Sequence, residues 1–351
     1  MDPPIGHSIT YTSPDRWAIG NLWFCEKVTG PAPTDAVVTW EDGNSTFALR
    51  PQPENHSQTP GDTKTTRAYD LATREAAWNI GDHVICKTES WVEGLELEGD
   101  TIRVVRERMP SIPVPEVIYY WLDRAWNRTF ILTKRVSGET FEDAWPKLSL
   151  PQAEKIAGDL AQHACTMAKF TSPQIKTITG CGINGEYWLF GTPAHKTWPS
   201  WKPVIRPIFT PETVTAYLRD LGGLDPPDVG DVFHFYHPQM DPTAVFVSVS
   251  GPEEEDVRIT AITHWIAAGY YPRWWIALKT LVCGGFAMNS GWKPEDFEWN
   301  QMLSEAMMDV GFDCPLSWYT RFREYQRAQR SKVPLPTPEE IAASIKEMES
   351  P

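Results

Sequence analysis

The sequence predicts an α+β protein built as two unequal lobes, and three observations carry that prediction. Short β-type runs surround one amphipathic stretch between Arg67 and Lys134. After Lys134 the apolar spacing becomes mainly helical, with one embedded hairpin. Between the two textures lies RVSGET (Arg135–Thr140), whose glycine marks a connection. The expected division is therefore a small β-rich lobe over 1–135 and a larger, mainly helical lobe over 136–351.

Within the first lobe, residues 1–65 read as an irregular extension with at most a short hairpin. Gly, Pro, Asn and Thr clusters such as GPAPTD and PQPENHSQTPGD punctuate it. HVICK (His83–Lys87) is a strand. Glu93 to about Arg108 has helical character, with Leu97, Ile102 and Val105 on one side. The IPVP segment (Ile112–Pro115) cannot continue a helix and leads into a strand over Glu116–Leu122. DRAWNR turns into a further strand, Thr129–Lys134.

In the second lobe, Ser149 and Gln152 form a capping-box pattern. The helix that follows carries Ile156, Leu160, Ala164 and Met167 at three- and four-residue spacing. Thr210-Pro211-Glu212 opens another helix, which stops near Gly222-Gly223. Val245–Val249 and Val257–Ile262 are strands joined by the acidic turn GPEEED. The remainder reads as helical, with Thr337-Pro338-Glu339-Glu340 capping the last helix. No internal repeat is visible.

Composition narrows the partners. A chain of 351 residues with 41% hydrophobic and 22% charged residues is globular. Its formal net charge of −14 argues against a nucleic-acid backbone or an anionic membrane as the main partner. The start, MDPPIGHSIT, lacks a basic segment followed by an apolar run, and no stretch approaches the roughly 18 apolar residues of a membrane span. Six scattered cysteines without a CxxC pair fit a reducing compartment, so a cytoplasmic location is expected. Seventeen tryptophans serve either core packing or a pocket for a flat, apolar ligand. Nothing in the sequence sets an oligomeric state.

Five segments then occur in a telling order: AWNIGDHVICKTE, the EGDTIRVVRE helix, SIPVPEVIYYW, FHFYHPQMDPTAV and AGYYPRWWIALK. Together, over roughly Arg67 to Trp318, they resemble the aminoglycoside phosphotransferase-like kinases, especially their fungal branch. The resemblance implies a two-lobed protein-kinase-like fold, ATP between the lobes and a small-molecule substrate on the larger one. Phosphoryl transfer of this type needs a strand lysine with a helix glutamate to orient it, a catalytic-loop aspartate as base, and an asparagine and a second aspartate to hold Mg²⁺. Lys87 stands at the lysine position and Glu98 at the glutamate position.

The metal and base positions depart from this pattern. In His237-Pro238-Gln239-Met240-Asp241-Pro242-Thr243-Ala244, Gln239 replaces the aspartate and Ala244 the asparagine, while Thr263-His264-Trp265 puts His264 where the second aspartate belongs. Glutamine has no basic carboxylate, alanine offers a metal no oxygen, and Mg²⁺ takes imidazole poorly. Asp241 would have to act from two positions further along, where a misplacement of even ~1 Å is costly. TRAYDLATREAAWN also offers no glycine-rich loop for phosphates.

These residues lead to a kinase-fold protein that has lost ATP- and Mg²⁺-dependent phosphoryl transfer. The first reading is an enzyme repurposed in specialised metabolism. It binds a small apolar natural product and, with no cofactor, promotes a cyclisation, rearrangement or dehydration. His264, Asp241, Gln239 and His237 are its catalytic candidates, although His237 suits a supporting role. Trp188, Trp198 and Trp201, in a variable insert, are its substrate-binding candidates. Lys87, Glu98 and Ala244 are then vestiges of a nucleotide site, and no metal is expected. The alternatives are a non-catalytic binding or regulatory pseudokinase and a residual small-molecule phosphotransferase working through Asp241. The run GYYPRWW (Gly269–Trp275) is expected to be core.

Overall fold

The computed structural model describes residues 4–53, 67–70, 74–184, 203–282, 286 and 294–330. They form two compact units, and the division runs after Arg103, inside a helix, and again after Val136; Val104–Val114 belongs with the second unit. The division expected at 135/136 had assigned that short segment to the first lobe. The class is α+β, with antiparallel sheets throughout.

The first unit corrects the reading of its own beginning. Far from being irregular, this segment forms five strands: β1 (Ile9–Ser13), β2 (Arg16–Ile19), β3 (Trp23–Val28), β4 (Val38–Asp42) and β5 (Ser45–Pro51). They make one antiparallel sheet in the order β1-β2-β3-β5-β4. Part of the Gly, Pro and Asn punctuation supplies hairpin turns, whereas GPAPTD joins β3 to β4, which are not paired. Gly43 takes φ 62° in the Gly43-Asn44 link between β4 and β5, and Asp15 takes φ 60° after Pro14 between β1 and β2. Strands of four to seven residues show too little alternation to stand out from such turns.

A second five-stranded sheet follows, from β6 (Arg67–Asp70), β7 (Glu75–Ile80), β8 (Val84–Ser90), β9 (Val117–Asp123) and β10 (Arg128–Lys134), in the order β6-β7-β8-β10-β9. Helix α1 (Glu98–Arg108) comes between β8 and β9 in sequence. The two sheets share one hydrophobic core. Trp17, Trp40 and Phe47 come from the first, and Trp78, Cys86, Trp121 and Phe130 from the second. Trp121 stacks on Phe130 at 5.0 Å, and Trp23 meets Trp121 edge-on at 6.4 Å. Much of the tryptophan excess is thus spent on packing.

The second unit opens with β11 (Glu139–Thr140), α2 (Phe141–Ala144) and the long α3 (Leu150–Ala168). Ser149 and Gln152 close the expected capping box, and Ile156, Leu160, Ala164 and Met167 are fully buried. After β12 (Thr171–Ser172) comes α4 (Pro211–Gly222), capped by Thr210 and ended by Gly223 in the left-handed conformation. The strands β13 (Phe233–Tyr236), β14 (Val245–Val249), β15 (Val257–Ile262) and β16 (Gly269–Tyr271) form two small sheets, β11-β14-β15 and β12-β13-β16. The ranges of β14 and β15 coincide with the expected ones. Helices α5 (Trp275–Val282), α6 (Pro294–Asp309) and α7 (Leu316–Arg330) complete the unit. Gly269–Trp275 was expected to be helical as well as core; it begins as a strand, with Tyr271, Trp274 and Trp275 buried. The helix expected at Thr337 lies outside the described residues.

Candidate functional site

The expected chemistry falls on two groups of side chains, one in each unit. In the first, strand alternation decides what Lys87 meets. Val84 and Cys86 enter the shared core, so Lys87 and Glu89 project from the opposite face of β8. There Lys87 pairs with the Glu98 carboxylate at the start of α1, as the resemblance implies. Gly99 permits that approach: a Cβ on it would lie 2.3 Å from the Tyr120 ring of β9. The sequence reading missed Glu89. Its Oε1 lies 2.7 Å from the Lys87 ammonium, and it is as buried as the lysine.

Glu75, also buried, stands directly opposite Glu89 across the β7–β8 ladder. Two carboxyl groups, those of Glu89 and Glu98, therefore meet one buried ammonium, with Glu75 beside Glu89, a crowding that full ionisation would make costly. Burial first, and then the charges of Glu75 and Glu98, push the Glu89 carboxyl up to about 8 against the pull of Lys87. Glu89 therefore holds its proton to a higher pH than a free glutamate. A cavity lined by Lys87, Glu89, Glu98, Gly99, Tyr120 and Thr129 has room for about one water molecule. Any phosphate approaching this lysine would also meet the surrounding carboxyl groups. Period-two spacing along β8 was the signal that could have revealed Glu89.

The second group lies at the ends of β13, β14 and β15. His237 follows β13 and is fully buried. Its Nδ1 accepts from the Gln239 N–H at 3.1 Å, its Nε2 lies 2.8 Å from the Thr263 carbonyl, and its ring meets Trp265 edge-on at 4.3 Å. Burial holds this imidazole neutral, with its pKa lowered to about 3. Both nitrogens are committed to the backbone, so His237 does not fit among the catalytic candidates. It ties the loop after β13 to the segment after β15.

Asp241 has a comparable commitment. Its Oδ1 accepts from the Thr243 N–H at 3.1 Å, the Thr243 hydroxyl at 2.6 Å and the Ala244 N–H at 3.1 Å. This is a side-chain-closed turn, the ordinary use of an aspartate in a loop. Gln239 is partly exposed, yet its Oε1 is buried with no hydrogen-bond partner among the described residues. Ala244 is buried, and its carbonyl receives both the N–H of Thr263 at 2.9 Å and the Thr263 hydroxyl at 3.0 Å. His264 follows at once in the left-handed conformation, φ 63° and ψ 49°, with Nδ1 at 3.1 Å from Thr263 Oγ1.

Gln239, Ala244 and His264 are thus brought to one place by His237 and Thr263. None of them carries a carboxylate, and the neighbouring Asp241 Oδ1 is occupied by its own turn. Among the described residues no three His, Cys, Asp or Glu side chains converge as a metal site. Trp188, Trp198 and Trp201 lie outside the described residues. The five described cysteines are free thiols, and no described helix is long and apolar enough to cross a membrane.

No protein-family model and no curated protein sequence matches the chain. Solved structures do align with it. The GDP and kanamycin complex of APH(2")-IIia aligns with a TM-score of 0.43 at 11% identity, covering 82% of this chain and 92% of that one. An aminoglycoside-3'-phosphotransferase of type VIII aligns at 0.42 and 14%, covering 73% and 90%. A thermostable mutant of APH(4)-Ia with AMP-PNP and hygromycin B aligns at 0.41 and 17%, covering 81% and 90%. Likeness at this level carries neither substrate nor activity over to this chain.

Proposed function

We propose that this is a kinase-like protein that no longer transfers phosphate and instead binds a small, largely apolar molecule, on which His264 acts as the proton-carrying side chain. One observation carries the first half. Where phosphoryl transfer needs a base and two metal ligands, the chain presents Gln239, Ala244 and His264, and Asp241 closes its own turn. Loss of both metal ligands removes the charge that neutralises a triphosphate. The crowding of carboxyl groups around Lys87 supports the same reading from the first unit.

Two features support the second half. Imidazole is a suitable acid or base near neutral pH, and His264 stands beside the Thr263 hydroxyl, 3.1 Å from its Nδ1. The buried Gln239 Oε1 also calls for a donor, which a ligand hydroxyl or N–H would supply. The reaction classes that suit one proton carrier and no cofactor are cyclisation, rearrangement and dehydration. A binding protein without turnover is the competing reading, favoured by the ties that make so much of the loop structural.

The combined variant Gln239→Asp, Ala244→Asn and His264→Asp tests the assignment of positions. It should gain Mg²⁺-dependent ATP binding that the wild type lacks; a variant that folds but gains none would contradict the alignment. Metabolite conversion by wild type, lost in His264→Ala with an unchanged melting temperature, would separate the enzyme from the binding protein.

A further inference from the structure

We infer that Thr263 is a positioning residue that holds His264 as its Nδ1–H tautomer, leaving the ring's proton-accepting lone pair on Nε2. Proton counting at the Thr263 hydroxyl decides the tautomer. A threonine hydroxyl has one proton to give and two lone pairs. Thr263 Oγ1 lies 3.0 Å from the Ala244 carbonyl oxygen, which can only accept, and 3.1 Å from His264 Nδ1. With its proton spent on Ala244, the hydroxyl can meet His264 only as an acceptor. Nδ1 must then carry the hydrogen.

The geometry around the hydroxyl is fixed from several sides. The Thr263 N–H donates to the same Ala244 carbonyl at 2.9 Å, extending the β14–β15 pairing by one residue. The Thr263 carbonyl is held in turn by His237 Nε2. Because His237 Nδ1 accepts from the Gln239 N–H, His237 is the opposite tautomer, Nε2–H. One threonine therefore stands between two imidazoles and sets a different nitrogen as donor in each. His264 itself sits at φ 63°, a region histidine enters more readily than most side chains.

The consequence for function rests on the proposed role of His264. An X–H bond of the ligand would break with its proton passing to Nε2, and the imidazolium would keep its Nδ1–H on Thr263 until Nε2 returned the proton to the product. The tautomer itself can be read with no ligand at all. Full-length protein labelled with 15N-histidine is examined by long-range 1H–15N correlation at mildly alkaline pH, where imidazoles are neutral. The His264 signals are assigned by their loss in His264→Ala.

Wild type and Thr263→Ser should both show His264 as a single Nδ1–H form beside His237 as Nε2–H. Thr263→Val, which removes the acceptor on Nδ1, should lower the share of the Nδ1–H form of His264 relative to wild type, while His237 is unchanged. His264 found as Nε2–H or as an average in the wild type, or a share of Nδ1–H unchanged between wild type and the valine variant, overturns the inference. Should the valine variant fail to fold, the wild-type and serine spectra still decide it. Absence of any ligand conversion would count against the proposed function and leave these spectra unaffected.

Discussion

Glu89 stands opposite Glu75 and two residues beyond Lys87 on the same face of β8, and its proton has a measurable signature. The unfolded chain releases that proton near pH ~4.3, whereas the native state holds it up to about 8. Between those values the native state binds the extra proton, so stability falls as pH rises, and the fall ends above the upper value. Glu89→Gln removes this slope. Relative to wild type, its melting temperature should rise from little difference near pH ~5 to a gain of several degrees near pH ~8. A difference that stays constant with pH would contradict the buried-proton account. His237→Ala should behave otherwise. It orphans the Thr263 carbonyl and the Gln239 N–H and leaves a cavity, for a loss of about 2–4 kcal/mol in urea unfolding.

At the scale of single elements, the capping box of α3 offers a graded test. Ser149→Ala removes one cap bond and should cost about 1 kcal/mol. Gln152→Ala should cost more, because its side-chain amide also donates to the Gly251 and Glu253 carbonyls at 2.9 Å, tying α3 to the turn between β14 and β15. Equal losses in urea unfolding would mean that those ties contribute nothing. Caps and strong periodicity are also what made α3, α4, β14 and β15 legible in the sequence. The first sheet was not, because its strands are short and its turns resemble loop composition. The candidate site was marked in the sequence one residue at a time: the resemblance singles out Lys87, Glu98, Gln239, Ala244 and His264. Glu89, Glu75 and Thr263 matter through strand facing, cross-strand register and proton sharing, which appear only once β7, β8, β14 and β15 are paired.

Considered whole, the chain depends on its beginning more than the sequence suggests. Trp78, Cys86, Trp121, Phe130 and Leu132 of the second sheet are buried in a core shared with β1–β5. Removal of residues 1–53 would uncover that face, and the truncated protein should aggregate or lose cooperative unfolding; a soluble product with a sharp transition would show that the sheets are separable. The proposed function turns on chemistry: Gln239, Ala244 and His264 stand where the resemblance expects a base aspartate and two oxygen ligands for a metal. Calorimetric titration of the full-length wild type with Mg²⁺·ATP, with ADP release followed in the same samples, tests it directly. No saturable binding heat and no ADP above background are expected. Mg²⁺-dependent saturable binding, or ADP release that disappears in Asp241→Ala, would contradict the account.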